Sequence, residues 1–169
     1  MNETKFDHGN AVREMVRRFA GDVDPSGVEI GRLVRMVRNL YEARVDDALR
    51  EQGLSGPRWG LLLRMFAEEQ RGHAGGMSPT HLSRCQNVSK NTISSLIGGL
   101  EEQGLVEREL DRDDKRVFRI RLTEEARRLV RETAPEHIAY LNALSSGLTA
   151  DERQQLIGLL EKLAGSLRK

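Results

Sequence analysis

The apolar period of the chain changes between residues 89 and 122, and that change limits the folds open to it. From Ser89 the apolar residues fall at Ile93, Leu96, Ile97 and Leu100, the spacing of one helix face, and the run stops at Gly104. From Leu105 to Leu110 and from Val117 to Leu122 the pattern alternates instead. In the second run Phe118, Ile120 and Leu122 are separated by Arg119 and Arg121, which predicts one buried and one wet face. The residues between the runs, Asp111 to Arg116, are all charged and too polar for a core. Upstream, Ser78-Pro79 reads as an N-cap with proline at the first helical position. It opens a short helix through Leu82 to Cys85, followed by a turn at Gln86-Asn87-Val88. Residues 78–122 therefore order themselves as short helix, turn, second helix and β-hairpin.

The flanks carry a helical period. Val12, Met15, Val16 and Phe19 predict a short amphipathic helix, broken by Gly21 to Pro25. Ser26 with Glu29 reads as a capping box for a long helix whose apolar face is Ile30, Leu33, Val34, Val37, Tyr41, Val45 and Ala48, stopped at Gly53. Ser55-Gly56-Pro57 starts the next helix, with Trp59, Leu62, Leu63 and Phe66 as its core side, and residues 71–77 read as a glycine-rich loop. After the hairpin, Thr123 caps a helix bearing Leu129, Val130, His137, Tyr140, Leu141 and Leu144, which Pro135 should kink or divide. Thr149 and Glu152 form another capping box, and Leu156, Leu159, Leu160, Leu163 and Leu167 stripe the last helix.

Charge and composition narrow the function classes. Lys plus Arg is 27 and Asp plus Glu is 26, a net charge of +1, so nucleic-acid binding would have to come from local placement of charge. Such a placement exists on the helix opened at Ser89. Opposite its apolar stripe lie Ser89, Lys90, Asn91, Thr92, Ser94 and Ser95, small hydrogen-bonding residues with one cation, on a face able to enter a major groove about 12 Å wide. Arg112, Lys115 and Arg116 in the hairpin loop would reach a flanking minor groove or the backbone. Aromatic residues are only 4%, which argues against base stacking on single strands. The longest wholly apolar run is too short to span a membrane. A single cysteine, Cys85, and the lack of an apolar signal-like segment near residue 1 make a cytoplasmic protein the expectation. No glycine-rich phosphate loop follows a strand, and His8, His73, His81 and His137 are scattered, so neither an enzyme nor a cofactor is expected.

Residues 78–123 resemble the winged helix of the MarR family, dimeric bacterial transcriptional regulators of which many respond to small molecules. The most specific parts are Leu100-Glu101-Glu102-Gln103-Gly104-Leu105-Val106 and the Asp114-Lys115-Arg116 segment. Leu54 to Phe66 and Leu148 to Glu152 are similar to the family's second and last helices. The resemblance implies a mainly α fold with a small β-hairpin wing, a winged helix-turn-helix flanked by N- and C-terminal dimerisation helices. Residues 1–25 are then an extension and 26–169 a single MarR-like domain, with 54–123 as the winged helix and 26–53 and 124–169 as dimerisation helices. By the same resemblance Arg116 enters the minor groove and Asp114 orients the wing. Two departures stand out: the Gly98-Gly99 pair inside the second helix of the motif, and the extension itself.

The apolar stripes of the flanking helices exceed what a small winged helix can cover, so self-association is expected. The resemblance implies a homodimer with its two reading helices about 34–36 Å apart on a pseudo-palindromic duplex. It also suggests a small-molecule effector near Val37, Tyr41, Trp59 and Met65, residues that could equally be ordinary core. Two other readings stay open. The chain could be a helical protein-interaction module without DNA binding. It could also be a metal- or thiol-operated switch through His81 and Cys85, which lie four apart on one helix.

Overall fold

The computed structural model of the chain describes residues 8–72, 75–111, 115 and 117–167. It divides into two compact units, Met1–Gly56 and Pro57–Lys169.

The first unit holds α1 (His8–Ala20), α2 (Ser26–Ala48) and a 3₁₀ turn (Arg50–Gln52). In α1 Val16 is buried, while Met15 and Phe19 are exposed and the side chain of Val12 lies outside the described residues. The expected capping box at Ser26 is not what starts α2. Pro25 occupies the cap position and makes no side-chain cap. Asp24 takes that role two residues earlier, its carboxylate accepting from Ser26 N at 2.9 Å and from Ser26 Oγ at 2.7 Å. A carboxylate at the positive end of a helix outcompetes a hydroxyl, and the two bonds hold Asp24 below the usual carboxylate range. Of the apolar face of α2 only Val45 is buried; Ile30, Leu33, Val34, Val37 and Tyr41 are exposed. The stop at Gly53 is as expected: its φ of 66° is left-handed, and Gly53 N donates to Arg50 O.

The second unit is built from α3 (Gly56–Gln70, which starts at the boundary), α4 (Pro79–Gln86), α5 (Lys90–Glu102), the strands β1 (Val106–Leu110) and β2 (Phe118–Leu122), α6 (Glu124–Leu144) and α7 (Ala150–Ser166). Its core is Trp59, Leu61, Leu62 and Met65 of α3, Leu82 of α4, Ile93, Ile97 and Leu100 of α5, Ile120 and Leu122 of β2, and Ala126 and Val130 of α6. The α3 face is rotated from the expected one. Leu61 and Met65 are fully buried, whereas Leu63 and Phe66 are half-buried, because the stretch 59–67, apolar but for Arg64, offers two neighbouring rows as equally good candidates. Leu96 of α5 is likewise half-buried, at the margin of its stripe.

The strands pair antiparallel in the register Val106↔Leu122, Arg108↔Ile120 and Leu110↔Phe118. Leu122 and Ile120 are buried, but Phe118 is 48% exposed, contrary to the alternation. Phe118 sits at the loop end of the hairpin, which reaches past the core, so pattern without cover leaves it in solvent. The loop reading of residues 71–77 also misses a pairing: Met77 exchanges two backbone hydrogen bonds with Ile120, at 3.0 and 2.9 Å. Gly76 makes that approach possible. Its φ is +79°, and a Cβ there would lie 2.9 Å from Ile120 O.

Thr123 ties the base of the hairpin to α6, donating to Gly104 O at 2.9 Å and accepting from Ala126 N at 3.2 Å. Pro135 does not divide α6, which runs unbroken to Leu144. Arg127 clamps α6 to α3 through a two-pronged contact with Glu69, Nε to Oε2 at 2.8 Å and Nη2 to Oε1 at 3.0 Å, and that carboxylate raises its pKa. Beside it the buried Glu68 is met by Arg64 at 3.3 Å and Arg71 at 3.2 Å. The capping box of α7 forms as expected, Thr149 N donating to Glu152 at 2.8 Å and Glu152 N to Thr149 Oγ1 at 3.3 Å.

Candidate nucleic-acid interface

Local chemistry sets the angle at which α5 is presented. Ser78 caps α4 by accepting from His81 N at 3.2 Å, with Pro79 at its first position. The helix is ended by Asn87 in the left-handed region at φ 52°, a conformation asparagine adopts more readily than most residues. Ser83 Oγ donates to Val88 O at 2.7 Å and pins the turn from inside. Ser89 then opens α5, its Oγ accepting from Thr92 N at 3.1 Å. Ile93, Ile97 and Leu100 are buried, which fixes the roll of α5 and turns the opposite face outward.

All six residues expected on that face, Ser89, Lys90, Asn91, Thr92, Ser94 and Ser95, are exposed. They are not equally free. The hydroxyls of Ser89 and Thr92 lie 2.8 Å apart, and Ser94 Oγ donates back to Lys90 O at 2.9 Å. Lys90, Asn91 and Ser95 make no side-chain hydrogen bond or ion pair among the described residues. These three, with the unpaired N–H groups of the first turn, form a small surface of donors at the positive end of a helix, suited to phosphate oxygens and base edges.

Of the hairpin-loop residues, Lys115 is exposed. Arg112, Asp114 and Arg116 lie outside the described residues. The strands that carry the loop are braced by charge: Arg121 donates to Glu109 at 2.8 Å across the strands, Arg108 to Glu101 of α5 at 2.9 Å, and Arg119 to Asp111. The bond from Arg108 couples the hairpin to α5 directly, and sequence reasoning had not identified it.

The four residues expected near an effector are placed differently from one another. Trp59 and Met65 are fully buried in the second unit, whereas Val37 and Tyr41 are exposed on α2 of the first. Partial desolvation of Tyr41 raises its hydroxyl pKa. A groove of about 670 Å³ runs between α1 and α2, lined by Met15, Val28, Met36 and Leu40 with Arg32 and Arg35 among them. None of the four expected residues lines it, and Arg32 Nε is buried there without a partner among the described residues. In the second unit Trp59 meets His137 edge-on, centroids 5.5 Å apart at 78°, a buried pair that periodicity alone did not mark. Cys85 Sγ lies 3.3 Å from His81 Nε2. Among the described residues no three His, Cys, Asp or Glu side chains are grouped to hold a metal ion. No described helix is long and apolar enough to cross a membrane.

Residues 52–117 match the family model described as MarR family. The chain is 31% identical over 113 residues to the HTH-type transcriptional repressor YetL of Bacillus subtilis (strain 168), covering 66% of this chain and 65% of that protein. The chain thus spans just under two thirds of the length of this curated relative. Among solved structures it is similar to CouR from Rhodococcus jostii RHA1 bound to p-coumaroyl-CoA, at 28% identity and a TM-score of 0.67, over 80% of this chain and 91% of that one. A MepR–DNA complex of S. aureus matches with a TM-score of 0.73 over 80% of this chain and 96% of that one; at 24% identity this likeness speaks to the fold. The family match thus spans the capped helix, the turn, the outward-facing polar helix and the first strand of the hairpin, and the solved structures share the fold around them.

Proposed function

We propose that this chain is a cytoplasmic, sequence-specific regulator of transcription that binds double-stranded DNA as a homodimer on a pseudo-palindromic operator, most simply as a repressor released by a small-molecule effector. The observation that carries the reading is α5, with its apolar stripe buried and Lys90, Asn91 and Ser95 presented outward and unengaged. Ser89, Thr92 and Ser94 position DNA beside them, and the loop residues Arg112, Lys115 and Arg116, oriented by Asp114, take the flanking groove. Support comes from a relative named as a repressor and from a structural neighbour solved on DNA.

The dimer reading is supported by the exposed apolar residues of α2 and α7, among them Val34, Val37, Leu40, Leu156, Leu159 and Leu160, more than a soluble surface carries without a partner. The effector reading is supported by CouR, which was solved with p-coumaroyl-CoA. Of the four residues expected near an effector, Val37 and Tyr41 offer accessible apolar surface, while Trp59 and Met65 would act through the core they belong to. An effector that binds one arrangement of the dimer 1–3 kcal/mol better than another shifts DNA affinity by about 5–150-fold.

The test is retardation of a randomised duplex pool at low salt, followed by selection of the bound sequences. Salt-sensitive retardation with enrichment of a symmetric site is expected, and Asn91→Ala should relax base preference at one position of each half-site by about 1–3 kcal/mol. A chain that leaves the duplex unshifted at every salt concentration is an interaction module instead.

A further inference from the structure

The Gly98-Gly99 pair contains two different glycines. A Cβ at Gly98 would meet nothing within 4 Å. A Cβ at Gly99 would land on the guanidinium of Arg58, 2.5 Å from Cζ, 2.7 Å from Nε and closer still to Nη2. Gly99 follows Thr92 and Ser95 on one row of α5, the row otherwise turned to solvent, yet it is buried. Its cover is a cation delivered from the first turns of α3. Glycine inside a helix costs about 0.8–1 kcal/mol against alanine, and at position 99 the missing side chain makes room for that cation. No described carboxylate pairs with Arg58.

Gly99 lies seven positions after Thr92, about 10 Å along the helix at 1.5 Å per residue. A major groove is about 12 Å wide. With the first turns of α5 against base edges, position 99 comes to the wall of the groove, where the phosphates run. A guanidinium held there offers its planar fork of donors to a phosphate. We propose that Arg58, seated on Gly99, is a phosphate-binding residue of the DNA interface, supplied by α3 rather than by the helix-turn-helix or the wing. The inference rests on the DNA-binding reading of α5.

The experiment measures affinity for a randomised duplex pool against salt, together with thermal midpoints, for the full chain and for Arg58→Gln, Gly99→Ala and the double variant. Arg58→Gln should weaken binding and lower the slope of log K against log salt by about 0.9 for each phosphate no longer neutralised, hence about 1.8 for a symmetric pair, with the midpoint unchanged. Gly99→Ala displaces the guanidinium without removing it and should lower the slope in the same sense, and the double variant should go no further than Arg58→Gln. An unchanged slope in Arg58→Gln, or a lowered midpoint with an unchanged slope, overturns the proposal and makes Arg58 a packing residue while DNA binding stands. An unmodified chain without salt-dependent duplex binding removes the DNA-binding reading and this proposal together.

Discussion

Helices α5 and α7 look alike on paper and differ in space. Each has a cap and a regular apolar stripe. In α5 the stripe is buried in its own unit, with Ile93, Ile97 and Leu100 at most 1% exposed. In α7 Leu156, Ile157, Leu159 and Leu160 are all at least 44% exposed. A stripe specifies that a face will seek cover; it does not say which molecule supplies it. Where α4 and the hairpin lie within a few residues of α5, cover is local and the polar face is left to solvent. For α7 the apolar face is the one still uncovered.

The largest expected effect separates these two kinds of face. Deleting residues 148–169 should abolish tight, specific DNA binding by removing self-association, while the truncated chain keeps the far-ultraviolet dichroism of a folded winged helix. Sedimentation of a truncated chain that is still a tight DNA-binding dimer would place the interface elsewhere. A paired substitution sharpens the contrast. Ile97→Ala should lower unfolding free energy by about 2–5 kcal/mol at any protein concentration. Leu159→Ala should lower it only in a concentration-dependent way, as expected when the truncated side chain packs between subunits. Urea titrations at two protein concentrations measure both.

Two smaller effects test the interior of the second unit. Burial holds the His137 imidazole below its ordinary pKa, beside Trp59. The unfolded chain therefore takes up this proton first. The stabilising effect of pH is complete above the unfolded value of about 6.5 and is lost as acid is added below it. Between about pH 7 and pH 5.5 the thermal midpoint should fall, and it should fall less in His137→Gln; parallel profiles for the two proteins would exclude His137 as the cause. Smallest is Gly98→Ala, where open space meets a helical backbone. It should gain about 0.8–1 kcal/mol and leave DNA affinity unchanged. A loss of stability there would mean that both glycines are under steric demand.

Legibility followed the range of the forces involved. Caps and stops were readable because their partners lie three or four residues away: Ser78, Ser89, Thr123 and the Thr149–Glu152 box all form where their spacing puts them. The failures came where a better local competitor or a remote neighbour decided. Asp24 displaced Ser26 as the start of α2 because a carboxylate was available two residues earlier. Phe118 kept its alternation and lost its burial because the hairpin outreaches the core. The exposed polar face of α5 was legible in full, since burying one helix face exposes its opposite. Arg58 was not, because the Gly98-Gly99 pair signals room without saying what fills it.

The amino-acid sequence by itself determined the order of helices and strands, the caps between them and the polar face of α5, all set by backbone sterics and by periodicity over one or two turns. Only the tertiary structure decided which row of α3 is core, that Met77 pairs with Ile120, that Arg127 grips Glu69, and that a guanidinium from α3 lies on α5. Those pairings join residues roughly 40 to 60 positions apart, and no local rule carries information over that distance: they exist only once packing has fixed the rotation of each helix.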